Sequence, residues 1–214
     1  TRDRRQRQMC IRDSYTSTVL HKIMIYQAWV NNIMVEEDLL TSEDNLQLLE
    51  AVKPEIDKFN GTPEIFNKEI KVPNLFALDT PIIKLFREKI KVKLYEMLHA
   101  EKFIDPDELE IQVTAFPRRF VKGNRARPHT HRGIDYTGVY YVDLDNVETN
   151  DATCDNDDGR FLLIDPIAQR SRGLNHDMLI QLQPKPKMLT IHPSYLFHES
   201  CLLYTSDAAD DLVC

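Results

Sequence analysis

After residue 108 the chain holds four short runs of β-formers with no long helical pattern between them, and this restricts its fold more than any other feature. The runs are Leu109–Phe116, Gly138–Leu144, Arg160–Ile164 and Lys187–Ile191. Ile111, Val113 and Ala115 alternate along the first run, so an extended segment there has one apolar face. Short strands joined by loops, without intervening helices, predict an antiparallel sandwich or jelly roll.

The region before it reads differently. Lys22–Val35 is rich in Ile, Val, Tyr and Trp, which predicts one or two strands. Thr41-Ser42-Glu43-Asp44 predicts a helix start, a hydroxyl cap followed by acids in the first turn. Leu46, Leu49, Val52, Ile56 and Phe59 then recur at helical spacing, with Pro54 expected to kink or split the helix and Asn60-Gly61 to end it. Asp79-Thr80-Pro81 opens a second helix. Its apolar face is Ile83, Phe86, Ile90, Leu94 and Met97, and Lys84, Arg87, Lys91 and Lys93 lie largely off that face, as a solvated surface. Phe103–Glu108 is expected to be a turn. The overall expectation is an α+β chain: a strand region and supporting helices over residues 15–108, and a β core over residues 109–200.

The two ends are set aside from fold reasoning. With suitable codons, the strand opposite the DNA for Cys201–Cys214 reads, in a shifted frame, as Thr1–Ser14. Both ends therefore resemble a translated sequencing adapter, and residues 1–14 and 201–214 are taken as non-native. Independent sequencing of the source gene is expected not to encode them. Removing them takes away as many acidic as basic residues, so the charge of −7 stands. Of four cysteines only Cys154 remains, so the even count carries no disulfide argument. A lone cysteine fits a reducing compartment, and a cytoplasmic location is the expectation. The acidic balance argues against general nucleic-acid binding. No apolar run approaches the ~20 residues of a membrane helix. Asn146–Asp158 is strongly acidic, but Cys154 stands where a calcium loop needs its first acid, so a solvated loop is expected.

The candidate chemistry lies in Arg127-Pro128-His129-Thr130-His131, followed by Asp135 and the strand. Residues two apart in a strand share a face, so His129 and His131 would aim their imidazoles at one place. Imidazole is the commonest protein ligand for transition metals near neutral pH. A third candidate, His198, follows the apolar run Met188–Ile191 and a Pro193-Ser194 turn. Two histidines from one strand edge and one from a distant strand can make a three-ligand site with open positions. His21, His99, His176 and His192 have no partner at ligand spacing and are read as surface or packing residues, His192 being of interest for its nearness to His198.

Four segments in this order resemble the Fe(II)/2-oxoglutarate-dependent dioxygenases of the prolyl-4-hydroxylase-like kind, most closely the oxygenases of bacteria and phages. They are Pro128–His131, Thr137–Val142, Gly159–Pro166 and Pro193–His198, within Leu109–Ser200. The resemblance implies a double-stranded β-helix (jelly roll) core backed by helices, with Fe(II), 2-oxoglutarate and O2 as cofactor and cosubstrates. It implies His129 and His198 as metal ligands. His131 stands where the family usually has a carboxylate, so either His131 or Asp135 completes the site. Tyr141 matches a residue that hydrogen-bonds 2-oxoglutarate, and Thr137 shares its face. The family's Arg or Lys for the far carboxylate should follow His198 by about one strand, but Cys201–Cys214 contains no basic residue.

The expected activity is hydroxylation of a small-molecule or peptide substrate, through loops around Arg118–Arg127 and Ala168–Asp177 that carry no recognisable code. The alternative is a jelly-roll metal-binding or interaction module without turnover. A third reading is a histidine-ligated dioxygenase that needs no oxoglutarate. Neither the substrate nor the oligomeric state follows from the sequence.

Overall fold

A computed structural model describes residues 23–28, 31–57, 74–101, 109–120, 123–144, 159–165, 179–201 and 211–213. Thr1–Ser14, His21, Phe59, Asn60-Gly61, Phe103–Glu108, Asn146–Asp158 with Cys154, Ala168–Asp177 and His176 lie outside the described residues.

The chain begins with the hairpin β1 (Ile23–Ala28) and β2 (Asn31–Glu36), so the apolar stretch there makes two antiparallel strands. Helix α1 (Ser42–Asp57) starts where its cap predicts. The Thr41 hydroxyl accepts a hydrogen bond from the Asp44 amide at 3.1 Å. Pro54 does not split α1, which runs on one turn past the bond that proline removes. The buried face also differs from the expected stripe. Leu48, Val52 and Ile56 are buried whereas Leu46 is exposed. A residue two positions from Leu48 lies on the opposite side of a helix.

A 3-10 turn (Leu75–Ala77) leads to α2 (Pro81–Glu101), which buries Ile83, Phe86 and Met97 as expected. Lys93 departs from the solvated reading. Its ammonium lies 2.9 Å from the carboxylate of buried Glu36 and 3.0 Å from Glu96. Burial opposes its charge, but the bonds to Glu36 and Glu96 outweigh that and raise its pKa.

The remaining strands are β3 (Arg118–Phe120), β4 (Ala126–His129), β5 (Tyr136–Asp143), β6 (Phe161–Ile164), β7 (Leu179–Leu182), β8 (Leu189–Pro193), β9 (Phe197–Ser200) and β10 (Asp211–Val213). They form a six-stranded sheet, β1-β2-β8-β5-β10-β3, and a four-stranded sheet, β4-β9-β6-β7. All the described ladders are antiparallel.

Leu109–Phe116 is not a strand, against expectation. Val113 and Ala115 do turn inward against the core. The backbone of Ala115, however, is taken by the turn before α2: Leu75 N donates to Ala115 O at 2.7 Å, and Ala115 N donates to Asn74 Oδ1 at 3.1 Å. The strand expected at Lys187–Ile191 begins later, at Leu189, because Lys187 sits in a turn with φ 71°. Asp211–Val213 belong to the end set aside on sequence grounds, yet their backbone pairs between β5 and β3. Leu212 and Val213 are β-formers, and a sheet edge offers unpaired backbone groups to any such segment.

Strand alternation builds the layers. Met34, Tyr140, Val142, Leu189 and Ile191 face the helices. Ile33, Val35, Tyr141 and Met188 face the other way and pack with Phe161 and Leu163 of the four-stranded sheet. The helices thus cover one face of the larger sheet and the smaller sheet covers the other. The result is a mixed α+β arrangement of two helices and antiparallel sheets. No helix among the described residues is long and apolar enough to cross a membrane.

Candidate metal centre

His129, His131 and His198 meet at one end of the space between the sheets. One ligand atom from each lies within 4.8 Å of the others. His129 is the last residue of β4 and pairs directly with His198 of β9. Their ring centroids are 4.4 Å apart. His131 arrives by a different route from the strand alternation that the sequence suggests, since it lies beyond the end of β4. Its amide donates to Ser194 O at 3.0 Å, while Ser194 N donates to Asp135 O at 2.9 Å and the Ser194 hydroxyl donates to Ile134 O. Buried Ser194 thereby ties the 131–135 loop to the turn that precedes His198. Sequence reasoning used that Pro-Ser pair only as a turn, although a small polar residue between two ligand segments was the available signal.

The backbone sets the tautomers. His129 Nδ1 lies 2.7 Å from Arg127 O and His198 Nδ1 lies 2.9 Å from Leu196 O. A carbonyl only accepts, so each Nδ1 carries the hydrogen and each Nε2 presents a lone pair. His131 Nε2 and His198 Nε2 are 3.2 Å apart. Two nitrogens at about 2.1 Å from one ion, at right angles, would be about 3.0 Å apart. Burial, and next the neighbouring His192, push the His198 imidazole down to about 3. Burial and then His129 lower that of His131. Both are held neutral near pH 7, the form that ligates metals. The donor set therefore fits a divalent transition metal.

Asp135, the carboxylate alternative to His131, has an exposed side chain and lies outside the converging group. Tyr141 and Tyr140 part company across β5. Tyr140 faces the helices, donates to Asn45 Oδ1 at 2.7 Å and packs on Phe86. Tyr141 faces the smaller sheet, 3% exposed, and its hydroxyl has no hydrogen-bond partner among the described residues. Burial raises its pKa, so it stays a donor. An orphaned buried donor suits a ligand with an acceptor oxygen, as a carboxylate has. Thr137 lies on the same face of β5 by alternation, directly opposite His192 of β8.

His99 is exposed, as a surface residue should be. His192 is 0% exposed, its ring centroid 4.6 Å from that of His198. Burial brings its pKa down to about 4.

Residues 115–208 match the family model described as "Putative 2OG-Fe(II) oxygenase". The match spans all three histidines, Thr137 and Tyr141, and it runs past Ser200 into the stretch set aside on sequence grounds. No curated protein gives a significant match to the chain. The family implies Fe(II), 2-oxoglutarate and O2, and the three histidines are compatible with iron. On that match, and with the histidines it carries, the segment 115–208 is similar to the 2OG-Fe(II) oxygenase family.

Proposed function

We propose that this chain is a non-haem Fe(II)/2-oxoglutarate-dependent dioxygenase that hydroxylates a small-molecule or peptide substrate in the cytoplasm. Its two facing sheets would be a double-stranded β-helix. The observation that carries the reading is the convergence of His129, His131 and His198, one ligand atom of each lying within 4.8 Å of the others. Three protein ligands leave positions open for a chelating cosubstrate and for oxygen. When bound, the iron couples decarboxylation of 2-oxoglutarate by O2 to insertion of one oxygen atom into a C–H bond, giving succinate, CO2 and an alcohol.

The chain's own residues have defined parts in this reading. The three histidines hold the ion, and the carbonyls of Arg127 and Leu196 fix the rings of His129 and His198. Tyr141 donates its hydroxyl to a carboxylate of the cosubstrate, with Thr137 on the same face. Phe161 and Leu163 close the apolar side of the space and exclude water.

A second reading, a metal-binding module without turnover, is favoured by the donor set itself. Three neutral imidazoles bring no negative charge to the ion, and a site of this kind accepts Zn(II) or Ni(II) as readily as iron. Anaerobic Fe(II) titration followed by an assay for Fe(II)-dependent succinate from 2-oxoglutarate separates the two. The oxygenase reading expects succinate that His198→Ala abolishes. Metal binding without 2-oxoglutarate binding or succinate would leave the module reading standing instead.

A further inference from the structure

His192 is the fourth histidine at this end of the sheets, and the ligand set does not use it. Its Nδ1 lies 3.0 Å from Pro193 O, so Nδ1 carries the hydrogen and Nε2 keeps a lone pair. That Nε2 is buried and has no hydrogen-bond partner among the described residues. Leaving a buried acceptor unsatisfied costs about 1–3 kcal/mol. The ring neighbours offer no remedy. Phe161, at 5.7 Å between centroids, has no donor, and His198, whose ring meets His192 at 63°, spends its N–H on Leu196 O. What is missing is a donor on the side of the metal centre. The nitrogens of His192 do not join the converging ligand group, so a donor carried by the ion would satisfy Nε2 without His192 becoming a ligand.

Coordination to a divalent ion acidifies a water molecule and makes it a strong donor. We propose that His192 Nε2 accepts a hydrogen bond from a water or hydroxyl-bearing ligand held on the ion at His129, His131 and His198, and so sets how the open coordination positions are filled. This rests on the metal-binding part of the proposed function. His192 is then a positioning residue, acting on the ion through its ligand.

Co(II) is the probe. The purified chain is titrated with Co(II) by visible absorption, affinity is taken from chelator competition, and X-ray absorption counts the imidazole ligands. His192→Phe keeps a buried ring and removes the acceptor. His192→Gln restores an acceptor oxygen near the Nε2 position. The expected result is Co(II) affinity about tenfold lower in His192→Phe. Its ligand-field bands should shift, His192→Gln should recover most of both, and three imidazoles should be counted in every form. Circular dichroism confirms that each variant is folded. Unchanged affinity and spectrum in folded His192→Phe overturn the proposal, as do four imidazoles in the wild type or equal losses in Phe and Gln. A wild type that binds no Co(II), or a His198→Ala that binds it as tightly, overturns the metal site itself.

Discussion

The Nε2 atoms of His131 and His198 face each other at 3.2 Å, from positions 67 residues apart in the chain. His198 Nε2 holds a lone pair, so without an ion the contact needs a hydrogen on His131 Nε2. A divalent ion would take the place of that hydrogen and accept a lone pair from each of the three rings. Replacing either residue with Ala should weaken Mn(II) or Co(II) binding by more than about 100-fold, beyond the effect usual for residues outside the ligand set. Calorimetric titration under anaerobic conditions measures it, and retention of near-wild-type affinity would remove that residue from the site.

Tyr141→Phe should separate stability from cosubstrate binding. The hydroxyl is buried without a partner among the described residues, so its loss should leave the metal-free chain as stable or stabilise it by up to about 1 kcal/mol. If the hydroxyl holds a carboxylate, 2-oxoglutarate binding should weaken about tenfold, as expected for a hydrogen bond to a charged group. Urea unfolding and a 2-oxoglutarate titration of the metal-loaded protein give the two numbers. A fall in stability with unchanged affinity would make Tyr141 a packing residue.

The metal-free protein should lose stability in mild acid. His192 and His198 have folded-state pKa values depressed to about 4 and about 3, while the unfolded imidazole titrates near 6.5. Between those limits the unfolded chain binds more protons, so stability rises with pH through the window. It is fully present above about 6.5 and is lost as pH falls toward 4. Thermal midpoints at pH 7 and pH 5 test this, and adding metal should hold the midpoint up at pH 5. Equal midpoints without metal would contradict the burial of these rings.

Gly138 explains a small residue inside a strand. A Cβ there would collide with the backbone oxygen of Thr190 on β8. Gly138→Ala should therefore force β5 and β8 apart at a cost of about 1–3 kcal/mol. Because Thr137 and His192 are the neighbouring pair, metal affinity should fall as well. Unfolding at unchanged denaturant concentration would show that the strands separate freely.

The chain's local signals were legible where the interactions are local. Thr41 and Thr80 cap their helices within three residues, and the Ile83-to-Met97 stripe buries as its spacing requires. The three histidines could be named because their residue type carries the chemistry. Leu46 misled because several registers of one helix present leucines, and only the sheet beneath α1 selects Leu48.

By itself the sequence determined the helix caps, the β-rich second half and which three histidines to look for at one place. The tertiary structure decided that His131, though past the end of its strand, still reaches the site through Ser194. It also decided that Tyr140 is satisfied by Asn45 while Tyr141 is not, and that His192 is sealed against His198. The physical reason is range. Capping and alternation act within a few residues, whereas ligand convergence and the satisfaction of buried polar atoms depend on contacts between segments far apart in sequence.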